Sequence, residues 1–320
     1  MVMAEEASNL AIDCVKENNF SDKKLGLYEK LIRKRLRNPL IANYIVNIFF
    51  RHLNITAPIL LFLIRTKLVV NLLNKQDFIE LSARERAKAL LDEGTFRELL
   101  DPFARVMSPW LVKQNIVPQA DDGVVIAKGS IQERPVVLIS IEGLFQGGSL
   151  GEVGGAKIAG ALELAVEDNL KGIPTAAILL LETGGVRLQE ANLGLAAIAE
   201  IQAAIVNLRQ YQPVITVVAG SVGCFGGMSI AAGLCSYIVM TQEGRLGLNG
   251  PQVIEQEAGV QEYNAKDRPF IWSITGGNQR FTSGLVDAYV YDDRQKIRQQ
   301  VIDYLTQGVP HQHRSSNYSF

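Results

Sequence analysis

The chain has 320 residues, of which 48% are hydrophobic and 20% are charged, and its formal net charge is -1. Such a composition is typical of a globular protein with a buried core, in one large domain or two smaller ones. The balanced charge argues against nucleic acid or an acidic membrane as the main partner.

Histidine and cysteine are scarce in this chain. The three histidines are His52, His311 and His313, and the three cysteines contain no CxxC pair. This scarcity argues against a serine or cysteine nucleophile activated by histidine and against a zinc site, so we expect no bound metal. An odd, small number of cysteines fits a reducing compartment, and we expect a cytoplasmic protein.

Residues 1–70 form an atypical extension. A basic stretch at residues 30–37 (KLIRKRLR) precedes apolar runs at residues 40–50 and 55–64. Each run is shorter than the roughly 20 apolar residues that a membrane span needs, so we predict no span. A buried or interfacial helical segment, a membrane-surface element and a mis-assigned translation start are the alternatives for this extension.

Residues 71–123 are predicted to form an N-terminal helical segment. Ser82 and Glu85 have the S-x-x-E spacing of a capping box, which predicts a helix that continues through residues 87–91. Residues 98–101, followed by proline, predict a helix that ends near Leu100.

A repeating pattern begins at Pro135. Proline opens apolar, strand-like runs at Pro135, Pro174 and Pro213, at intervals of 39 residues, and each run ends in a glycine-rich turn. Continuous apolar strands that alternate with amphipathic helices predict a largely parallel sheet covered on both faces. This domain is predicted over residues 124–295. The end of a helix and a mobile tail are predicted over residues 296–320.

Other elements complete this predicted domain. Further strands are expected at residues 124–128, 237–241 and 288–291. The helix after the second glycine turn is predicted from an apolar stripe at steps of three or four residues. The stripe consists of Leu188, Ala191, Leu195, Ile198, Ile201, Ile205 and Leu208.

Glycine is concentrated at the turns, with 22 of the 28 glycines between positions 143 and 277. A glycine pair where a strand meets a helix N-terminus leaves N–H groups pointing outward, and the helix dipole adds positive potential there. Two such turns on consecutive parallel strands would place N–H donors side by side, as in an oxyanion hole. We therefore predict Gly184, Gly185, Gly226 and Gly227 as catalytic, with tight packing turns as the alternative.

Several strings around these turns resemble a known superfamily. Residues 223–228 (GCFGGM), followed by a helix and residues 245–251 (RLGLNGP), resemble the crotonase superfamily. Residues 147–151 (GGSLG), 183–190 (TGGVRLQE) and 250–256 (GPQVIEQ) are similar to its carboxyltransferase branch. The resemblance implies an α/β fold: a crotonase-like (ClpP/crotonase) spiral of repeated strand-strand-helix units, of the carboxyltransferase N-domain type.

The similarity is most extensive to the beta subunits of biotin-independent malonate decarboxylases. It runs from Phe78 to Asn278, about two thirds of the chain, and includes the strings VMSPWL, PQADDGVV and LGLNGPQVIEQEAG. The beta subunit of bacterial acetyl-CoA carboxylase has similar strings but also carries a four-cysteine zinc ribbon. Cys14, Cys224 and Cys235 cannot form such a ribbon.

The resemblance implies a carboxy-lyase subunit that converts malonyl-S-acyl-carrier-protein to acetyl-S-acyl-carrier-protein and CO2 through an enolate. It implies a gamma subunit, an acyl carrier protein and an acyl-transferring alpha subunit as partners. No cofactor is expected to bind directly, because the carrier protein delivers the malonyl group on a phosphopantetheine-type arm derived from dephospho-CoA. Alternatives are a carboxyltransferase subunit that passes the carboxyl group to biotin, and a non-catalytic crotonase-fold subunit.

Other residues near the turns are candidates for substrate and proton binding. The turn at residues 147–149 is predicted to hold a phosphate or carboxylate, or to line the thioester cleft, with a packing turn as the alternative. Glu182, Glu190 and Glu255 are candidate proton donors by position, with water as the alternative. The predicted substrate-binding residues are Gly147, Gly148, Ser149, Arg187 (to a phosphate of the arm, or in an ion pair), Asn249 and Gln252 (to the cleft or a subunit contact).

The start of the chain can be tested directly. Members of the resembled family begin near residues 72–78, and this chain has no methionine between Met3 and Met107. We expect translation to start at a non-AUG codon near Val69 or Val70, which makes the native protein lighter than 35.1 kDa. Intact-mass measurement of the natively expressed protein checks this, and a full-length mass would contradict it.

Overall fold

The computed structural model describes residues 77–317, which belong to one compact unit, Gln76–Phe320. The predicted extension at residues 1–70 lies outside the described residues. Within residues 77–317, every helix falls short of the length and apolarity that a bilayer crossing requires.

A seven-stranded sheet organises the described residues, with its strands side by side in the order in which they occur in the chain. The first two pairings are antiparallel, and the remaining four are parallel. Each strand from the third to the sixth is therefore followed by a helical crossover to the neighbouring strand, and these crossovers wind the chain into a spiral. The strands are β1 Arg97–Leu99, β2 Val124–Ile131, β3 Arg134–Ile141, β4 Ala176–Leu180, β5 Val214–Val218, β6 Tyr237–Thr241 and β7 Ala288–Val290.

Helices cover both faces of this sheet. Helices α3, α4 and α5 form the crossovers between β3 and β6 and pack on one face, whereas α1 and α9 pack on the other. The helices are α1 Ala83–Leu90, α2 Pro109–Val112, α3 Glu152–Leu170, α4 Asn192–Leu208, α5 Gly227–Leu234, α6 Pro251–Ala258, α7 Arg268–Thr275, α8 Gly277–Thr282 and α9 Arg294–Gln307.

The two faces explain why the parallel strands are apolar at nearly every position. In β4, Ala177 and Leu179 belong to the core under α3–α5, whereas Ile178 and Leu180 belong to the core under α1 and α9. Successive side chains of a strand point to opposite faces, so a sheet covered on both sides has apolar residues throughout. The predicted α/β spiral is confirmed.

Local signals before the sheet have mixed outcomes. The predicted capping box is confirmed, since Ser82 Oγ accepts from Glu85 N and the Glu85 carboxylate accepts from Ser82 N, at the start of α1. The helix predicted to end near Leu100 is wrong. Residues Arg97–Leu99 are strand β1, which pairs antiparallel with residues 126–128 of β2. Strand β1 depends on a pairing partner far along the chain, and local sequence signals carry no information about such a partner.

The apolar stripe predicted for the second crossover helix describes only its later turns. Ile198, Ile201, Ile205 and Leu208 are buried under the sheet, but Leu188 is 84% exposed and Leu195 is 56% exposed. The helix begins at Asn192 because Ala191, with φ 45° and ψ -120°, is not helical. Two members of the stripe therefore precede the helix.

The end of the described chain lies beside β6. His313 Nε2 is 3.1 Å from the carbonyl oxygen of Cys235, and Arg314 donates to the carbonyl oxygen of Ser236 at 3.2 Å. These contacts anchor residues beyond α9 to the residues that lead into β6.

Matched substitutions on α4 test its orientation. Ile201→Ala removes a fully buried side chain and should lower the free energy of unfolding by about 2–5 kcal/mol, through lost burial and a cavity. Leu195→Ala, on the exposed side of the same helix, should change it by less than about 0.5 kcal/mol. Urea denaturation of both variants measures this, and equal losses would contradict the orientation.

Candidate active site

The glycine turns after β4 and β5 meet beyond the carboxyl ends of those strands. There the chain forms single parallel β-bridges between Thr183 and Cys224, between Cys224 and Leu246, and between Leu150 and Val186. These bridges place the loops that follow four successive strands, β3 to β6, in a second layer beside the main sheet. Loops at the carboxyl end of a parallel sheet are the usual place for ligands.

The two predicted glycine pairs lie in direct backbone contact. A Cβ atom on Gly185 would lie 3.1 Å from Gly226 Cα, and a Cβ atom on Gly226 would lie 3.1 Å from Gly185 Cα. Both residues also have a positive φ, 106° for Gly185 and 62° for Gly226. Side chains at either position would separate the loops, so glycine is required for this approach.

Three of the four predicted N–H donors are used inside the chain. Gly184 N donates to the carbonyl oxygen of Gly147 at 2.9 Å, and Gly226 N donates to that of Leu248 at 2.7 Å. Gly185 N donates to Thr183 Oγ1 at 3.0 Å. These hydrogen bonds hold the turns in place and leave Gly227 as the predicted glycine whose N–H has no acceptor among residues 77–317.

A second N–H without an acceptor, from Val186, lies close to the second glycine turn. Val186 N makes no hydrogen bond to any described residue, and it is 3.8 Å from the position that a Cβ atom of Gly226 would occupy. Gly227 is the first residue of α5, where backbone N–H groups and the helix dipole favour negative charge. Both residues are partly exposed, so the pair can receive an oxygen that becomes negative. Sequence reasoning missed Val186, although its place after the Gly184-Gly185 pair is a usable signal.

The chain beneath the donors is apolar. Cys224, Phe225 and Met228 are all at most 3% exposed. Burial raises the pKa of the Cys224 thiol far above its usual range, so the sulfur stays protonated and is a poor nucleophile. The guanidinium of Arg245 lies over the Phe225 ring, 5.7 Å from its centroid, and donates to the carbonyl oxygen of Ser221 at 2.6 Å. These buried side chains flank Gly226 and Gly227 in the chain and form an apolar floor in this part of the protein.

An open cavity adjoins this floor. It has a volume of about 280 Å³ and is lined by Ser229, Leu246, Gly247, Leu248 and Arg280, among others. Ser229 is in the first turn of α5, and Leu248 accepts the Gly226 N–H, so the cavity borders the elements that carry the donor. Its walls are mostly apolar, which suits the alkyl part of an acyl-carrier arm.

Arg187 does not have access to a phosphate. Its side chain is fully buried, and its guanidinium pairs with Asp122 at 2.7 Å and Glu190 at 3.0 Å and donates to the carbonyl oxygen of Ser149 at 3.0 Å. The predicted direct contact is therefore replaced by an internal ion pair that connects three loops. Burial raises the pKa of Asp122, and the positive charge of Arg187 offsets part of this rise.

The turn at residues 147–149 leads to a helix N-terminus that already holds anions. Asp122 accepts from Gly154 N at 2.9 Å and Glu190 accepts from Glu152 N at 2.8 Å, both in the first turn of α3. These carboxylates occupy the position that the sequence predicts for a phosphate or carboxylate. Gly147 is exposed and Ser149 is half-buried, so they line the surface beside Gly184, whereas Gly148 is buried.

The candidate proton donors are all engaged in hydrogen bonds. Glu182 pairs with Arg86, and Glu190 pairs with Arg187 and accepts from Ser108 Oγ at 2.6 Å. Glu255 accepts from the backbone N–H of Ala265 at 2.7 Å. Within residues 77–317, no group of three or more histidine, cysteine, aspartate or glutamate residues is arranged to hold a metal ion.

Asn249 and Gln252 lie on the surface next to the donor pair. Both are exposed, on either side of the start of α6. Their loop is connected to the donors through the hydrogen bond from Gly226 N to Leu248. They are free to contact a ligand or a partner, as are Leu144, Leu188 and Leu248, which are 93%, 84% and 60% exposed.

Residues 80–318 match the model of the carboxyl transferase domain family. The chain belongs to this family. Its carboxyl transferase domain thus includes α1 and α9 together with the spiral between them. The fold and the resemblance predicted from the glycine-turn strings are confirmed.

Relatives and solved structures indicate which members of the family this chain resembles. The chain is 41% identical over 237 residues, 71% of this chain and 74% of the relative, to a malonyl-S-ACP:biotin-protein carboxyltransferase of Malonomonas rubra. It is 70% identical, with a TM-score of 0.75, to a chain of the Pseudomonas malonate decarboxylase hetero-tetramer solved in complex with malonate, covering 77% of this chain and 90% of that one. The transcarboxylase 12S structure with methylmalonyl-coenzyme A bound is 29% identical, with a TM-score of 0.59, over 69% of this chain and 40% of that one.

The buried network around Arg187 can be tested by removing its charge. Arg187→Met leaves Asp122 and Glu190 buried without their cation, and should lower the free energy of unfolding by about 3–5 kcal/mol. As a control, Lys171→Met breaks an exposed pair with Glu167 on α3 and should cost less than about 0.5 kcal/mol. Thermal and urea denaturation measure both, and equal costs would show that the Arg187 network contributes no more than a surface pair.

Proposed function

We propose that this chain is the beta subunit of a malonate decarboxylase and that it decarboxylates malonyl-S-acyl-carrier-protein. The observation that carries the proposal is the 70% identity to a chain of a malonate decarboxylase solved with malonate. The N–H groups of Val186 and Gly227, which have no acceptor among the described residues and follow two turns in contact, support it independently, because this reaction requires such donors of a protein.

The reaction breaks the bond between the α-carbon and the carboxylate of the malonyl group. The carboxylate leaves as CO2, and the bonding electrons remain on the α-carbon and delocalise to the thioester oxygen as an enolate. Val186 N–H and Gly227 N–H donate to that oxygen as its charge grows, and the dipole of α5 adds to the effect. A proton then reaches the α-carbon and completes the acetyl thioester.

Partners follow from the same comparison. The similar Pseudomonas structures are a hetero-tetramer and a hetero-dimer, so we infer a hetero-oligomer that includes a gamma subunit. An acyl-transferring alpha subunit would load an acyl carrier protein, whose phosphopantetheine-type arm, derived from dephospho-CoA, delivers the malonyl group. The 280 Å³ cavity beside α5 is the proposed path of that arm, and Asn249 and Gln252 are proposed to line its entrance or the subunit contact.

Transfer of the carboxyl group to biotin is the second candidate. The Malonomonas rubra relative, 41% identical, is named as a carboxyltransferase acting on a biotin protein. Both reactions pass through the same enolate, so the same donor pair would serve either. The greater identity to the Pseudomonas decarboxylase chain favours direct release of CO2.

Reconstitution separates the two candidates. This chain, its gamma partner and malonyl-carrier protein are mixed in buffer without biotin, and CO2 release is measured. We expect multiple turnovers of CO2 and acetyl-carrier protein. CO2 release that requires a biotinylated carrier would support the second candidate instead, and no turnover under either condition would contradict both.

Two substitutions at one position test the Gly227 donor. Gly227→Pro removes the N–H, and proline is tolerated at the first residue of a helix. Gly227→Ala is the matched control, because it adds the same Cβ atom, 2.9 Å from Ile198 Cγ2, but keeps the N–H. We expect kcat of the proline variant to be about 100-fold to 1,000-fold below that of the alanine variant, the usual loss for one oxyanion donor. Equal kcat values would contradict the assignment.

A further inference from the structure

We infer that Glu182 is a positioning residue that fixes the two donor loops relative to each other. This inference rests on the proposed function for its effect on turnover. Glu182 is two residues beyond β4 and 5% exposed, and the first donor loop follows it directly. Its side-chain hydrogen bonds go to Arg86, Ser221 and Val222 and not to the donors, so its influence acts through the backbone of Thr183–Val186 and of the loop after β5.

The Glu182 carboxylate binds the second donor loop. Its Oε1 atom accepts from Ser221 Oγ at 3.1 Å and from Val222 N at 3.2 Å. Both groups belong to the loop that leaves β5 and leads to Gly226 and Gly227. A side chain of the first donor loop therefore holds the start of the second.

The backbones on either side of this carboxylate are also connected. Thr183 N donates to the carbonyl oxygen of Gly223 at 2.7 Å, and Phe225 N donates to that of Thr183 at 3.0 Å. Any displacement of Glu182 is thus transmitted to the backbone beside both Val186 and Gly227. The donor pair works only if both N–H groups point at one oxygen, and errors of about 1 Å in such placement typically cost about 100-fold in rate.

The Glu182 side chain fits tightly between Gly143 and Gly220. A Cβ atom built on Gly143 or on Gly220 would overlap the Glu182 carboxyl group. The loop after β3 and the loop after β5 therefore both lack a side chain at the point where they face Glu182. This fit restricts the carboxylate to one place.

Arg86 of α1 completes the arrangement from the opposite side. Its guanidinium pairs with Glu182 Oε2 and also donates to the carbonyl oxygens of Phe78 at 3.1 Å and Ile79 at 2.7 Å. With its Nε and Nη2 atoms bound to backbone oxygens, the guanidinium is fixed and orients the carboxylate. Apolar residues in place of a buried ion pair often preserve stability, so the pair is best explained by the geometry that it imposes on the loops.

Two charge-neutral double variants isolate the loop contacts. Arg86→Met with Glu182→Gln keeps an oxygen that accepts from Ser221 and Val222, whereas Arg86→Met with Glu182→Leu has similar volume but no acceptor. In the reconstituted complex, we expect kcat of the leucine variant to be at least tenfold below that of the glutamine variant, with KM for malonyl-carrier protein within twofold. Equal kcat values for the two would overturn the inference.

Hydrogen exchange gives a readout that does not need activity. In the full chain with its gamma partner, amides of residues 183–187 and 221–228 should exchange faster in the leucine variant than in the glutamine variant. Unchanged exchange in both segments would overturn the inference even if the complex proved inactive, and faster exchange in an inactive complex would support positioning while contradicting the proposed function.

Milder and control variants keep the test decisive if the double variants fold poorly. Ser221→Ala removes one contact from an exposed residue, and we expect kcat to fall about threefold to tenfold with unchanged KM. Asp92→Asn is the control, because Asp92 also binds an arginine, Arg298, and turn N–H groups, but far from the glycine turns along the chain. Asp92→Asn should lower the melting temperature without changing kcat. If it lowers kcat as much as Ser221→Ala does, the loss comes from general destabilisation and the inference is overturned.

Discussion

The contact between the backbones of Gly185 and Gly226 determines the shape of the candidate site. Each residue faces the other with only a hydrogen atom on Cα, and each has a positive φ that few other residues adopt. Because the turns approach so closely, the N–H groups of Val186 and Gly227, which have no acceptor among residues 77–317, come from adjoining loops. The parallel sheet brings the two glycine turns together, because adjacent strands end at the same edge of the sheet and their loops leave it in the same direction.

Buried charges support this contact from behind. Arg187 connects Asp122, Glu190 and the carbonyl oxygen of Ser149, and Arg86 connects α1 to Glu182. Ion pairs withdrawn from water contribute little net stability, because desolvation offsets most of their attraction. Their directional hydrogen bonds, however, restrict loops that apolar packing alone would leave adjustable. Asp122 and Glu190 also complete the first turn of α3, whereas the N–H of Gly227 at the start of α5 has no acceptor among residues 77–317.

The chemistry proposed for this site suits a chain whose described part offers no imidazole near the donors. Loss of CO2 itself generates the carbanion, so no base is needed to remove a proton from the α-carbon. What the protein must supply is stabilisation of the enolate oxygen in a place with little water, and fixed N–H dipoles over an apolar floor meet that need. The buried, protonated thiol of Cys224 serves as part of that floor rather than as a nucleophile.

Local sequence signals predict the fold and the glycine turns that form the candidate site. Apolar runs of strand length, each followed by glycines and a 3.6-residue pattern, are local signals, and they specify the spiral and its glycine turns because each element forms from neighbouring residues. The capping box of α1 is predictable for the same reason. Strand β1 is not, since its partner residues in β2 are distant along the chain.

Which groups face the candidate site depends on contacts between residues that are distant in the sequence. Three of the four predicted glycine N–H groups are bound to acceptors within the chain, whereas the N–H of Val186 has no acceptor among residues 77–317. Arg187 and Glu182 are polar residues in turns, yet they are buried by partners 65 and 96 positions away, Asp122 and Arg86. Sequence specifies which donors and charges exist, but whether each is satisfied or exposed depends on residues that only the folded chain brings together.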